Sequence, residues 1–218
     1  MSTLHVQDLE IPSDVFTLEG FRNWVAGLDE SAPLVSFCAG NVHIEMSPQN
    51  YRSHTSLTAE ITSALVALAR DAKLGMFCPA PSWFTCEGAD LSTEPDGFLA
   101  TYASLRSKAI AIHPAREHEM VGRPDMVFEA VSKTSRKKDL RDLVAQYALA
   151  GIPEYWIADA RSETLEFRIL VLQGDGHYHD QAGDDDGWLA SPIWSRRFRL
   201  RRIVNEVGLP EFRLDQAD

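Results

Sequence analysis

The sequence predicts an α/β domain in which helices flank a mixed β-sheet. The first observation is the segment from Arg123 to Ala160, where an apolar strand, a basic loop, a helix and a second apolar strand follow one another. Such a unit usually places its two strands in parallel in one sheet. The second is the alternating segment ETLEFRILVL, which is typical of a strand, and the third is an amphipathic helix predicted between Ser53 and Ala72.

Length and composition are those of a globular protein with one sizeable core, since the chain has 218 residues and 44% of them are apolar. We expect residues 1–32 to form an N-terminal extension with a short helix, and residues 33–218 to form a single domain with a C-terminal β-hairpin. The three cysteines are irregularly spaced, which favours reduced thiols in a cytoplasm over disulfides or a zinc site. We expect a cytoplasmic protein without a secretory signal or a membrane span.

The first predicted elements are a short helix and a hairpin. Thr17 is suited to cap a helix from Leu18 to Leu28 whose apolar side chains share one face. The hairpin extends from Pro33 to Met46 and turns at an Ala-Gly-Asn sequence. His43 and Glu45 lie two residues apart on one strand face. That spacing could hold a metal ion, but two residues do not make a site, so both are interpreted as structural.

The middle of the chain combines a long helix with short strands. In the helix from Ser53 to Ala72, apolar side chains form one stripe: Leu57, Ile61, Leu65 and Leu68. His54 is interpreted as a polar residue at the helix start. Two short strands are predicted between Gly75 and Gly88, and a later strand has Asp96 near its start. For Tyr102 to Ile112, both a strand and a partial helix stay open.

The strand–helix–strand unit carries a carboxylate in its first strand. Glu129 lies among apolar neighbours, where its charge is costly unless a cation or a metal ion compensates it. Ser135 is predicted to cap a helix from Arg136 to Ala150. Gly151 is suited to end that helix, and Pro153 prevents its continuation.

Several sequence segments, taken in chain order, resemble the Uma-type restriction-endonuclease family, a branch of the PD-(D/E)XK nuclease superfamily. The resemblance rests on PDMVFEAVS, KKD and YALAGIPEYWIADA, and it extends to GNVHIEMSP, His54 and EPDGFLA, covering about Pro33 to Asp159. It implies a restriction-endonuclease-like fold. It also implies an endonuclease that hydrolyses DNA phosphodiester bonds with a water activated by Mg²⁺, or by Mn²⁺ in its place. A homodimer is implied by the resemblance alone.

The resemblance also implies the metal ligands. Asp96 and Glu129 match the two carboxylates of the family, and the backbone carbonyl of Ala130 would be a third oxygen ligand of the kind that Mg²⁺ prefers. Glu60 is a weaker candidate, because superfamily members often lend a helix carboxylate to the site. Asp125 is another weaker candidate: on a regular strand it would share a face with Glu129 but lie about 13 Å away. It is therefore interpreted first as a residue at the strand start.

The lysine of the motif is displaced in this sequence. Its two usual positions hold Val131 and Leu143, and the nearest cation in motif order is Lys138, beside Asp139. We therefore expect Lys138 to be the catalytic lysine that positions water and counters transition-state charge. Gln146 is a weaker candidate as a neutral donor. Two alternatives stay open: a catalytically decayed nuclease fold that serves as a binding or scaffold protein, and a metal-dependent hydrolase of another phosphoester.

The net charge of -11 opposes tight nonspecific binding to nucleic acid, but local patches decide a binding face. One basic cluster adjoins the motif, and its candidates for binding nucleic acid are Lys133, Arg136, Lys137 and Arg141. For this cluster a DNA contact and a solvated face without a partner both stay open. The second cluster is interpreted as a solvated face; it consists of Arg196, Arg197, Arg199, Arg201 and Arg202.

Overall fold

The computed structural model of the protein describes residues 4–6, 9–29, 32–45 and 49–218. Its strands, in chain order, are β1 Leu4–Val6, β2 Leu9–Ile11, β3 Leu34–Cys38, β4 Asn41–Glu45, β5 Gly75–Pro79, β6 Trp83–Cys86, β7 Leu91–Thr93, β8 Gly97–Thr101, β9 Ile110–His113, β10 Arg116–Gly122, β11 Met126–Ala130, β12 Glu154–Asp159, β13 Glu166–Leu172, β14 Tyr178–Asp180, β15 Leu189–Ser191, β16 Arg196–Val204 and β17 Pro210–Ala217. The α-helices are α1 Leu18–Val25, α2 Ser56–Asp71, α3 Tyr102–Ser107 and α4 Leu143–Leu149. Two π-helical turns precede α2 and α4, at Tyr51–Thr55 and Lys138–Asp142, and a 3₁₀ turn lies at Glu87–Ala89.

The central sheet has the strand order β14-β13-β12-β11-β8-β5. β11 and β12 are parallel, with Met126 opposite Glu154, and the other pairs are antiparallel. The predicted parallel crossover and mixed sheet are therefore present. All of β11 is buried, as expected for a strand that is covered on both faces.

Two apolar layers cover this sheet. Alternate residues of β11 face opposite ways, so Phe128 packs in the layer of α2 and the C-terminal strands, while Val127 packs in the layer of α4. The predicted stripe of α2 faces the first layer. Fully burying one such leucine or isoleucine contributes about 1.5–3 kcal/mol.

A second six-stranded sheet has the order β4-β3-β7-β6-β10-β9 and places the β3–β4 hairpin at one edge. α1 covers this sheet through Phe21 and Trp24, which pack with Phe37. The hydroxyl of Thr17 accepts a hydrogen bond from the backbone N–H of Gly20, as the predicted N-cap should, but the helix ends at Val25 rather than Leu28.

The C-terminal sheet of β15, β16 and β17 extends the predicted hairpin by one strand. Its arginines are matched by acids: Arg201 and Arg199 lie 2.6 and 3.2 Å from the carboxylate of Asp215, and Arg197 lies 3.4 Å from that of Asp184. This pairing agrees with the interpretation of the second basic cluster as a solvated charged face.

One predicted element needed correction. The helix predicted from Arg136 to Ala150 is present, since helical residues extend from Arg136 to Leu149, but it is not regular and the Ser135 hydroxyl is not its cap. It is the hydroxyl of Ser132 that accepts from the Ser135 N–H, and the chain passes through the π-helical turn before α4 begins. A π-helical turn holds an extra residue, which changes the face that the following side chains present. The open segment after β8 divides into α3 and then β9, so both alternatives hold in part.

Cys38, Cys78 and Cys86 are all free thiols, as predicted.

Within the described residues, no helix has both the length and the apolar character to cross a membrane.

Candidate active site

A polar cleft opens where β8 and β11 of the central sheet meet the β3–β4 hairpin and both π-helical turns. Its charged and polar lining includes Asp96, Glu129, Lys138, Glu45 and His54. Three of these were assigned from the sequence to catalysis or metal binding, so the fold brings the main candidates to one place.

The two candidate carboxylates face each other across neighbouring strands. Gly97 pairs with Phe128 in the antiparallel register of β8 and β11, so one residue further along Asp96 falls opposite Glu129. The Oδ2 atom of Asp96 accepts a hydrogen bond of 2.7 Å from the backbone N–H of Ala130, which ties the two motifs together. Both carboxylates therefore lie on one side of the sheet.

Glu129 is almost completely buried, with 4% of its surface exposed. The hydroxyl of Tyr147 in α4 donates a hydrogen bond of 3.0 Å to its Oε1 atom. Burial raises the pKa of Glu129 well above its usual value, although the positive charge of Lys138 acts in the opposite direction. An additional cation beside this carboxylate would favour its charged form.

Lys138 lies in the cleft, with 10% of its side chain exposed. Its Nζ atom is 2.5 Å from the Oε1 atom of Glu45 and 3.7 Å from the Oδ1 atom of Asp139. Burial alone would lower the pKa of Lys138, but the neighbouring carboxylates of Glu129, Asp139 and Glu45 outweigh burial and raise it. The ammonium group is therefore charged at neutral pH and turned inward.

Sequence reasoning missed Glu45, because the pair His43 and Glu45 was interpreted as structural. The structure places Glu45 in the cleft, with its carboxylate on the ammonium of Lys138. His43 and Glu45 both belong to the segment GNVHIEMSP, which was part of the family resemblance. That resemblance was the available signal.

His54 was assigned to the helix start, but its side chain reaches the cleft. Its Nε2 atom lies 3.5 Å from the Oδ2 atom of Asp96, and the residue is 5% exposed. Burial lowers the pKa of His54, whereas the hydrogen bond to Asp96 raises it and the net effect is upward. The Nδ1 atom is buried without a hydrogen-bond partner in the described part of the chain.

Asp139 is a second buried carboxylate that was not singled out as a site residue. The hydroxyl of Ser135 donates to its Oδ2 atom, while Oδ1 has no hydrogen bond among the described residues. Burial raises the pKa of Asp139 to about 7, and the charge of Lys138 offsets part of this effect. More carboxyl groups than cations therefore surround Lys138.

The oxygen donors of the cleft fit a hard cation such as Mg²⁺. Asp96 and Glu129 each use one carboxylate oxygen in the hydrogen bonds already given, which leaves the second oxygen of each available to a cation. No three His, Cys, Asp or Glu side chains form a closed metal cage within the described ranges. Mg²⁺ does not need such a cage, because it keeps several of its own water ligands.

The weaker candidates take part in contacts outside the cleft or at the strand start. The Oε1 atom of Glu60 accepts a 2.9 Å bond from the backbone N–H of Leu214, and Gln146 donates to the carbonyl of Ala89. Neither Glu60 nor Gln146 lines the cleft, and both side chains hold elements together. Asp125 accepts bonds from the backbone of Thr101 and the hydroxyl of Ser104, which agrees with a residue at the strand start.

The usual lysine positions are part of the hydrophobic core. Val131 is 1% exposed and Leu143 is fully buried, and both pack in the layer of α4. The cations proposed to bind nucleic acid are instead exposed around the cleft: Lys133, Arg136, Lys137 and Arg141.

Comparison with known proteins agrees with this geometry. The family model Uma2, described as "Putative restriction endonuclease", matches residues 18–199 and confirms the resemblance found in the sequence. The fold is similar to that of a protein described as a putative nuclease belonging to DUF820 from Anabaena variabilis, with a TM-score of 0.60 and 16% sequence identity. The similarity covers 82% of this chain and 90% of that chain, and it confirms the predicted fold class. No curated protein matches the sequence.

Proposed function

The chain belongs to the Uma2 family, and we propose that it is a Mg²⁺-dependent endonuclease that hydrolyses phosphodiester bonds of DNA. The observation that carries this proposal is the meeting of Asp96, Glu129 and Lys138 in one cleft, although they come from three separate elements. The same cleft has more carboxylate than cation, which is the arrangement that a divalent metal ion completes.

When bound, the metal ion would polarise the phosphate and lower the pKa of a water molecule. Asp96, Glu129 and the carbonyl of Ala130 would hold it. Glu129 must be ionised to bind, so binding releases a proton whenever burial has kept this carboxyl neutral. Tyr147 fixes the orientation of Glu129 through its hydrogen bond.

Lys138 is suited to counter charge rather than to accept a proton. Because three carboxylates raise its pKa, the ammonium stays protonated and is a poor general base. Positive charge held in a buried cleft is effective in stabilising the additional negative charge of a phosphoryl transition state. Mn²⁺ could replace Mg²⁺, since both accept oxygen ligands.

A decayed nuclease fold that only binds is the second candidate. The observation that favours it is the apolar filling of both usual lysine positions, Val131 and Leu143. The inward ammonium of Lys138 supports the active form instead, because it supplies a cation near Glu129 from another position.

The decisive experiment is cleavage of supercoiled and linear DNA by the purified protein with Mg²⁺, with Mn²⁺ and with EDTA. We expect metal-dependent cleavage by the wild type and none by Glu129→Gln, since the amide keeps the volume but removes a charged ligand. Glu60→Gln is the matched control, because it makes the same change outside the cleft and can still accept from Leu214. If Glu129→Gln cut DNA as fast as the wild type, Glu129 would not be a ligand. If the wild type bound DNA but never cut it, the decayed form would be correct.

A further inference from the structure

Two more clefts adjoin the candidate active site, one on each side. The first, which we name the Lys133 cleft, has a volume of about 410 Å³; it shares Glu45 and His54 with the active site and includes Lys133 and Ser53. The second, the Lys137 cleft, has a volume of about 430 Å³ and includes Lys137. The nuclease chemistry proposed above uses neither cleft.

Strand β4 forms a wall common to all three cavities. Asn41, His43 and Glu45 are spaced two residues apart and so lie on one face of the strand. The first two line the Lys137 cleft, whereas Glu45 lines the active site and the Lys133 cleft. The cavities therefore follow one another along this strand.

The basic segment forms the opposite wall. Lys133 lies in one outer cleft, Lys138 in the active site and Lys137 in the other outer cleft. The ion pair between Lys138 and Glu45 joins the two walls at the centre. The three cavities thus lie in a row along these two walls, from Lys133 to Lys137, and we call this row the groove.

The outer lysines differ from the other cations nearby. Lys133 and Lys137 are exposed, and neither forms an ion pair with any residue that the structure describes. Arg141, by contrast, lies 2.8 Å from the carboxylate of Asp142, and Arg136 lines neither cleft. The uncompensated positive charge of the groove is therefore located on its two sides, with the acidic centre between them.

Neutral polar groups complete both outer clefts. Asn50 and Ser53 lie in the Lys133 cleft, and Asn41 and His43 lie in the Lys137 cleft. Burial and the charge of Lys138 lower the pKa of His43, so its ring is neutral at pH 7 and can donate or accept a hydrogen bond. The arginine of each outer cleft is already paired, Arg161 with Asp159 and Arg141 with Asp142. One lysine without an ion pair, beside neutral donors, suits a phosphate and its sugar better than it suits a carboxylate-rich peptide.

We propose that this groove binds one strand of nucleic acid across the active site, with phosphates on one side of the scissile bond in the Lys133 cleft and phosphates on the other side in the Lys137 cleft. The proposal rests on the proposed nuclease function and sharpens it. It divides the basic patch into two half-sites and assigns no phosphate contact to Arg136.

The test measures binding of fluorescent single strands to the full-length protein, with Ca²⁺ in place of Mg²⁺, for Lys133→Ala, Lys137→Ala and the double variant. Strands of about 16 and about 4 nucleotides represent the ends of the usual range of single-strand site sizes. The matched control is Lys73→Ala, an exposed lysine beyond the far end of α2, which is about 24 Å long.

On the long strand we expect each single variant to bind several-fold more weakly and to reduce the slope of log K against log salt by about 0.7, with additive effects in the double variant. On the short strand, which fills one half-site at a time, each single variant should lose little affinity because the other half-site stays intact, and the double variant should lose about as much as one single variant loses on the long strand. The groove proposal is wrong if the double variant loses affinity by the same factor on both strands, or if the lysine variants bind like Lys73→Ala.

Cleavage by the wild type with Mg²⁺, measured in parallel, separates this proposal from the nuclease proposal. If the wild type cuts DNA but both lysine variants bind like the control, the groove is wrong and the nuclease stands. If the two-sided binding pattern appears without cleavage under Mg²⁺ or Mn²⁺, the groove stands and the nuclease proposal fails.

Discussion

Two clusters of buried charge in the described part of the chain are built differently. Under α1, the guanidinium of Arg22 makes two hydrogen bonds, of 2.8 and 3.0 Å, to the carboxylate of Glu119, which also accepts from the hydroxyl of Thr85. In the candidate active site, Lys138 faces several carboxylates, and buried atoms of Asp139 and His54 have no hydrogen bond within the described chain. Buried polar groups are normally satisfied, so an exception requires an explanation.

This is the difference that we expect between a structural cluster and the proposed active site. The Arg22–Glu119 pair has its partners within the chain and fixes α1 to the second sheet. The cluster around Lys138 has more carboxyl groups than cations. Burial raises the pKa of Glu129 and of Asp139, and the neighbouring carboxylates raise both further. Such a cluster is costly in the isolated protein and is relieved by a bound cation.

The largest effect is expected for Lys138→Ala, which should lower turnover by about two to four orders of magnitude, the scale seen when one donor to transition-state charge is lost. Binding of uncut DNA should weaken only slightly, because Lys138 lies between the half-sites. Single-turnover cleavage and binding are measured on the same variant. Lys137→Ala is the control and should show the reverse pattern, with weaker binding and unchanged turnover at saturating DNA. Loss of binding without loss of turnover in Lys138→Ala would place Lys138 in the basic patch.

Arg22→Ala tests the structural cluster and should destabilise the protein by about 3–5 kcal/mol, because it leaves the buried carboxylate of Glu119 without its cation. Urea unfolding measures this loss. Arg168→Ala is the matched control: its ion pair is with the exposed Asp180, and such pairs contribute about 0–1 kcal/mol. If both variants were equally stable, the buried pair of Arg22 and Glu119 would contribute no more to stability than a surface ion pair.

The smallest effect concerns the pH dependence of the metal-free protein. Because folding raises the pKa of Asp139 from 3.8 to about 7, the folded state binds the proton more tightly than the unfolded state. This contribution is fully present below pH 4 and is lost as the pH rises towards 7, with a slope of at most about 1.4 kcal/mol per pH unit. Asp139→Asn should flatten that part of the stability curve, as measured by urea unfolding from pH 4 to 8 in EDTA. An unchanged slope would show that Asp139 does not titrate there.

Several features were predictable from the sequence because they depend on local patterns. The apolar stripe of α2 and the parallel pairing of β11 with β12 follow from residue spacing and from the handedness of short crossovers. Asp96 and Glu129 were identified as a pair from motif order, and the register of β8 against β11 places them opposite each other. For the stripe and the crossover, the decisive neighbours lie on the same element or on one directly connected to it, whereas Asp96 and Glu129 were paired through the family motif.

Other features were decided only by the tertiary structure. Glu45 reaches Lys138 because β4 is the edge strand of the second sheet, and no local pattern encodes which sheet edge approaches which turn. Lys138 begins a π-helical turn, which helical periodicity does not predict. Glu60 and Gln146 matched plausible positions, yet long-range packing joined them to Leu214 and Ala89 instead. Residue type and spacing thus determined which groups could do chemistry, whereas contacts between distant segments decided which of them share a cleft.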